Sequence, residues 1–298
     1  MISVRLWLRV AVMAIFVLLV SVVPTSVASS QEKPHVNKLS NHIYSIFWGS
    51  FNSLVVVGKK GVLITDPAND KRAAVLKAEI AKLTKLPVTH IVLSHEHFDH
   101  IGGVGIFPQA KTIAQKHIHA VLLLDPLDLA PDDIDITFEN KHVINMGTTD
   151  VEMHFLGAGA GAATTVVYMP WEGVAFTAGL YEDRRLAPAL FLDDINMLGV
   201  RRILNRIGQW PLKHTVTAHS KATNPQILRE NIRFFNDLYD AVYPAVATAV
   251  ASGNPLAITE LLESLPDTVT LEDYAGWDGY EHLSGHLRRL VLSITQGG

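Results

Sequence analysis

One ten-residue run constrains this chain more than any other. Ser94-His95-Glu96-His97-Phe98-Asp99-His100-Ile101-Gly102-Gly103 sets three imidazoles and the Asp99 carboxylate within six positions, directly after the apolar segment Thr89-His90-Ile91-Val92-Leu93. With 14 histidines in 298 residues, such a cluster arises by accident with odds on the order of 0.002, so chance is a poor account of it. Imidazole and carboxylate suit a borderline ion such as zinc. Ligands in a turn converge, whereas successive residues of a strand point to opposite faces. The pattern therefore predicts a buried strand that ends in a metal-binding turn at the edge of a sheet.

The His-x-His-x-Asp-His turn followed by the paired glycines Gly102 and Gly103 resembles the hallmark of the metallo-β-lactamase superfamily. The resemblance continues through the strands around Ile43 to Thr65, the Gly-rich loop Gly157 to Gly161, the strand pair Val166 to Thr177 and the late His219. It implies an α/β fold, a four-layer αβ/βα sandwich, with a hydrolytic zinc site at one edge between two sheets. By resemblance, one metal position takes His95, His97 and a third histidine from the Gly-rich loop. The other takes Asp99, His100 and His219, and an aspartate bridges the two. Two of these positions are altered. Ala160 stands where the third histidine is expected, and Gly179, in Ala178-Gly179-Leu180, stands where the bridge is expected.

A methyl group and a hydrogen ligate nothing, so the expected cofactor is one zinc ion held mainly by Asp99, His100 and His219, with His95 and His97 forming a depleted position. His154, Glu182 and Asp183 are the nearest residues in sequence able to stand in for a lost ligand. The candidate catalytic groups are Asp99, His95 and His97. Asp99 is the proton acceptor if the paired histidines hold the ion. If Asp99 is itself a ligand, His95 or His97 orients or deprotonates water.

The first residues give a basic start through Arg9, an apolar run from Val10 to Val23, and the small residues Ser26-Val27-Ala28. That order predicts a signal peptide over residues 1–28 and an exported domain over 29–298, periplasmic or secreted, with no stable membrane span after cleavage. The chain has no cysteine, which excludes disulfides, thiolate metal sites and a thiol nucleophile, so its stability must come from a core. A formal charge of -4 offers no basic surface for nucleic acid, and the expected partner is a small-molecule substrate. The reading is a hydrolase-like protein acting on an ester, lactone, β-lactam or related bond. The alternative is a non-catalytic protein of the same fold that binds a ligand or partner.

Alternating apolar residues predict strands at Ile43 to Phe47, Leu54 to Val57 and Val62 to Thr65, with Gly58 to Gly61 as a hairpin turn, and then at Lys141 to Ile144, Val151 to Phe155, Val166 to Met169 and Val174 to Thr177. Helical spacing covers Ala73, Leu76, Ile80 and Leu83, then Asp194 to Arg206, Gln226 to Ala249 and Tyr280 to Ile294. His117 and His119 lie two apart on a helical stretch and so point to different sides. His282 and His286, four apart on the last helix, share a face, but without the Glu placement of a His-Glu-x-x-His metal motif.

Overall fold

A computed structural model describes residues 33–297. The signal-peptide reading of residues 1–28 lies outside them. Two sheets form. The first contains seven strands: β1 (His35–Lys38), β2 (Ile43–Trp48), β3 (Phe51–Val57), β4 (Val62–Thr65), β5 (Val88–Val92), β6 (Lys111–Gln115) and β7 (Ile136–Phe138), in the same order in space as in the chain. The second contains β8 (Lys141–Asn145), β9 (Asp150–Phe155), β10 (Thr165–Met169), β11 (Val174–Phe176) and β12 (His214–Val216), with β12 and β8 at its edges. β1 to β4 are antiparallel, β4 to β7 parallel, and β11 pairs with β12 in parallel.

Three apolar layers hold the sandwich together. Leu54, Val56, Leu63 and Val92 of the first sheet meet Val151, Met153, Val167 and Phe176 of the second. On the outer side of the first sheet, Val55, Ile64 and Ile91 pack on Ala73, Leu76 and Ile80 of helix α1 (Asp70–Leu83). Adjacent residues of β3 thus enter opposite layers, which is why that strand is apolar almost throughout instead of alternating. Short helices α2 (Phe98–Ile101) and α3 (Ile118–Leu122) follow β5 and β6. The outer side of the second sheet is covered by α4 (Met197–Ile207), α5 (Pro225–Ala251), α6 (Ala257–Thr268) and α7 (Leu283–Gln296), through residues such as Ile203, Phe234, Leu238 and Leu287. The four-layer expectation is met. Among the described residues, no helix is long and apolar enough to cross a membrane.

Several boundaries differ from the sequence reading. α4 begins at Met197 and not at Asp194, because the Asn196 side chain accepts the Gly199 N–H and caps the helix there. Tyr280–His282 forms a separate 3-10 turn before α7. Helix α6 and the short strands β1, β6 and β7 were not anticipated. His282 and His286 do not both face the cleft, since His286 is buried among the helices, donating from Nδ1 to the His282 carbonyl at 3.2 Å with its ring edge-on to Phe234.

Burial pushes His286 down to about 4 from its ordinary 6.5. A folded-state value below the unfolded one means that the unfolded chain takes up the proton first. This contribution to stability is full above about pH 6.5 and is lost as pH falls toward 4, by at most about 3 kcal/mol. His286→Gln retains a donor without the titration. Urea unfolding at pH 7.5 and 4.5 should show the wild type losing more stability than the variant, and equal losses would contradict the assignment.

Candidate metal centre

Four loops converge at one edge of the sandwich because two parallel strand pairs, one in each sheet, end there. Asp66 follows β4, Ser94 and the histidine turn follow β5, Ala178 and Gly179 follow β11, and His219 follows β12. Backbone bonds lock these loops to one another across the two sheets: Thr165 donates to the Ser94 carbonyl at 2.6 Å, and Asn52 to that of Ala218 at 2.7 Å. The paired glycines let α2 lie against the loop after β4. A Cβ at Gly102 would stand 2.7 Å from the Ala68 carbonyl oxygen, and one at Gly103, where φ is +74°, 2.6 Å from that of Asn69.

The turn brings His95, His97 and His100 together and adds His219. Ring centroids are 4.4 Å apart for His95–His97 and for His95–His100, and 5.1 Å for His100–His219. The hydrogen bonds fix which nitrogen of each ring is free. Ser94 Oγ donates its single proton to Asp66 Oδ2 at 2.6 Å, so it accepts from His95 Nδ1 at 2.8 Å. His100 Nδ1 donates to the same Asp66 oxygen at 3.3 Å, and His219 Nδ1 donates to the Ser50 carbonyl at 3.0 Å. All three rings therefore keep a lone pair on Nε2. Such back-side bonds are what orient metal-ligating imidazoles.

Asp66 was missed by the sequence reading. With His95 and His100 it forms the one group of three among the described residues whose ligand atoms lie within 4.8 Å of one another. Its carboxylate is already engaged by the Ser94 N–H at 2.8 Å, the Ser94 hydroxyl and His100. We therefore assign it to orienting the histidines and not to ligation. Asp99 is exposed, with Oδ2 3.9 Å from His100 Nε2. That spacing is a few tenths of an ångström beyond the roughly 3.3 Å expected for two ligands at about 2 Å from one tetrahedral zinc. Asp99, His100 and His219 border one cavity, but among the described residues their ligand atoms do not all lie within 4.8 Å of one another, as those of Asp66, His95 and His100 do, so the expected trio supplies donors of the right chemistry without being drawn together in this structure.

The protonation of the cluster is uneven. Burial holds His95 well below its usual value, and the neighbouring His100, His97 and His219 add to this. His219 is lowered by burial and by His100. His97 is also penalised by burial, but the hydrogen bond and charge of Asp194 outweigh that and raise it. Asp194, 2.6 Å from His97 Nε2, is the second residue that the sequence reading missed.

Ala160 and Gly179, the two altered positions, do line the same cavity, whose volume is about 910 Å³. A Cβ at Gly179 would lie 3.9 Å from His95 Nε2 and 4.0 Å from the Ala160 methyl, ordinary contact distances. The left-handed residue of that turn is Ala178, at φ 52°. Of the stand-ins considered, His154 pairs with Glu152 and packs on Trp210, away from the cavity. Asp183 is exposed and does not line it. Glu182 borders it, raised by burial against the opposing effect of Arg185, with which it pairs at 3.3 Å. Phe47, Phe51, Pro188, Leu190 and Phe191 give the same cavity apolar lining.

The hairpin tip that carries Ser50 is held from beneath by Arg72. Its guanidinium is fully buried and donates to Ser53 Oγ at 2.6 Å and to the Ile46 carbonyl at 2.7 Å. Phe51 at the same tip rests against His100 and His219, with centroids 5.6 and 5.5 Å away. Glu96 acts on the other side, its carboxylate taking the N–H groups of Ala162 at 2.5 Å and Ala163 at 3.0 Å. Glu96 thereby shapes the loop that carries Ala160.

Comparison with known proteins agrees with the fold. The family described as the metallo-beta-lactamase superfamily matches residues 46–180. The chain is 28% identical over 160 residues to a metallo-beta-lactamase type 2 of Elizabethkingia meningoseptica, covering 49% of this chain and 63% of the relative, so it spans less than two thirds of that protein. It is 18% identical over 248 residues to a metallo-beta-lactamase type 2 of Bacteroides fragilis, covering 76% and 97%. To metallo-beta-lactamase IND-1 of Chryseobacterium indologenes it is 27% identical over 220 residues, covering 69% and 86%. A solved metallo-beta-lactamase from Pontibacter korlensis has the same fold, with a TM-score of 0.59 at 21% identity, covering 68% of this chain and all but 1% of that one.

Because Glu96 is buried and satisfies two loop N–H groups, Glu96→Ala should destabilise the protein by about 2 kcal/mol. Hydrogen exchange of the Ala162 and Ala163 amides should accelerate beyond that of β10. Unchanged protection at both amides would show that the carboxylate does not hold the loop.

Proposed function

The chain belongs to the metallo-beta-lactamase superfamily, and from that premise we propose that it is an exported, zinc-dependent hydrolase with a reduced site that holds one ion tightly. The observation that carries this reading is the common tautomer of His100 and His219. Each has Nδ1 tied to an acceptor and Nε2 free, and Asp99 Oδ2 lies 3.9 Å from Nε2 of His100. These three residues would hold the ion, and three protein ligands with one open place is the usual form of a catalytic zinc site. When bound there, zinc supplies a water of lowered pKa and polarises a substrate carbonyl.

The remaining work falls to the chain's own residues. His95, buried and held neutral by its surroundings, presents Nε2 as an acceptor able to orient a water molecule. With Asp99 committed as a ligand, His95 or His97 takes the role of proton acceptor. The wall of Phe47, Phe51, Leu190 and Phe191 would bury the apolar part of a small acyl substrate and exclude water around the scissile bond. An ester, lactone, β-lactam or related bond fits this arrangement, and no residue singles out β-lactams. The second reading is a non-catalytic protein that keeps the fold to bind a ligand, and the two altered ligand positions favour it. Metal content separates the two, because only the hydrolase needs a loaded site.

Protein purified without chelator and then dialysed should retain at most about one zinc per chain, and His219→Ala should lower that content more than His97→Ala. Elemental analysis of the three proteins tests this. A larger loss with His97→Ala would place the ion at the paired histidines instead.

Since both positions line the cavity and a Cβ at Gly179 meets nothing closer than ordinary contact distance, Ala160→His with Gly179→Asp should add a second tightly held zinc and raise hydrolysis of generic esters or lactones, with each single change doing less. A folded double variant that takes up no additional zinc would show that these two positions do not correspond to ligands.

A further inference from the structure

Leu190 and Phe191 are 76% and 65% exposed, yet both line the cavity that holds the histidines. Their exposure is built into the fold. They lie on the 3-10 turn Ala189–Phe191, where the Phe191 N–H donates to the Pro188 carbonyl at 2.9 Å and that of Leu192 to the Ala189 carbonyl at 3.0 Å. Leu186 before the turn and Leu192 after it are buried in the same apolar layer as Leu283 and Leu287 of α7. A Cβ at Gly285 of α7 would stand 2.8 Å from the Ala189 methyl, so the turn is seated directly on that helix. Folding thus anchors both ends of the segment and leaves two large apolar side chains against water at the cavity, a mark of a ligand groove.

The apolar lining is not confined to the mouth. Phe51 rests on the rings of His100 and His219, and Phe47 and Val121 border the same cavity. A volume of about 910 Å³ sits at the upper end of the roughly 300–1,000 Å³ of ligand pockets and exceeds what a short acyl group fills. Among the described residues that line it, Arg185 is the single lysine or arginine, and it pairs with Glu182 at 3.3 Å. The cavity therefore offers surface to a hydrocarbon chain and no unpaired cation to an anionic chain end.

Resting on the hydrolase reading above, we propose that Leu190 and Phe191 are specificity-determining residues: they select substrates whose acyl part is an uncharged hydrocarbon chain longer than a butyl group, which lies along them while the acyl carbon stands at the histidines. A methylene moved fully out of water tightens binding about fourfold, and one laid on a wall open to solvent gains about half of that free energy, or about twofold. Both side chains are largely exposed, so replacing them leaves the core intact.

The test is titration of the protein, purified without chelator, with butanamide, octanamide and the octanamide analogue that ends in a carboxylate, followed by amide chemical shifts and so read without turnover. Octanamide should bind about 16-fold more tightly than butanamide, four methylenes at about twofold each, and the carboxylate-ended chain should bind no better than butanamide. Leu190→Ser with Phe191→Ser should remove most of that ratio without changing zinc content or melting temperature. Leu190→Met with Phe191→Leu, which keeps the apolar reach, should retain it. Equal affinities for the two amides, a ratio that survives the serine variant, or tight binding of the carboxylate-ended chain would overturn the proposal. So would sedimentation as a dimer that the serine variant dissolves, because the pair would then be covered by a second copy. Nitrophenyl esters separate the two readings. Equal kcat/KM for butyrate and octanoate would overturn this proposal and leave the hydrolase reading standing, whereas no hydrolysis beside the expected amide ratio would overturn the hydrolase reading and support the chain site.

Discussion

The arrangement of this site depends on one buried carboxylate. Asp66 emerges from the end of β4 and receives the backbone and hydroxyl of Ser94 and the Nδ1 of His100. Through Ser94 it also determines how His95 is protonated. An unpaired carboxylate at that depth would cost several kcal/mol, so burial is tolerated only because each oxygen is satisfied. The same bonds that solve this local problem aim two imidazoles at the cavity. Folding the β4 and β5 ends together and preparing the histidines are therefore one event.

Much of this was legible in the chain. The turn from His95 to His100 was readable because metal chemistry needs several rare residues close together, and the core strands were readable because their apolar runs are long. Asp66 left no comparable signal. It is a single acidic residue in Thr65-Asp66-Pro67, its carboxylate bonded to Ser94 28 positions away, and only the parallel pairing of β4 with β5 unites them. Asp194 was hidden differently. Its segment continues an apolar pattern that reads as helix, and the capping geometry of Asn196 is what frees it. The strands β1, β6 and β7 are three to five residues long, too short for periodicity to separate them from loops.

Ala160 and Gly179, where the family resemblance leads one to expect ligands, differ in how the chain holds them. Gly179 is unstrained, and the tension of its turn falls on Ala178 at φ 52°. The loop bearing Ala160 is still clasped by Glu96. Ala160 is packed in the core beside Leu180 and Ile203, while a Cβ at Gly179 would meet its neighbours only at ordinary contact distance.

The backbone bonds that cross from one sheet to the other at the cavity edge have a mechanical consequence. Thr165 to Ser94 and Asn52 to Ala218 join the ends of strands whose facing surfaces meet largely through apolar side chains. Such side chains resist separation but permit sliding, whereas directed hydrogen bonds resist shear. An ion shared by Asp99 and His100 from one sheet and His219 from the other would stitch the halves along that same line. Loss of the ion and slippage of the two sheets would then be a single cooperative opening, starting at this rim and spreading inward.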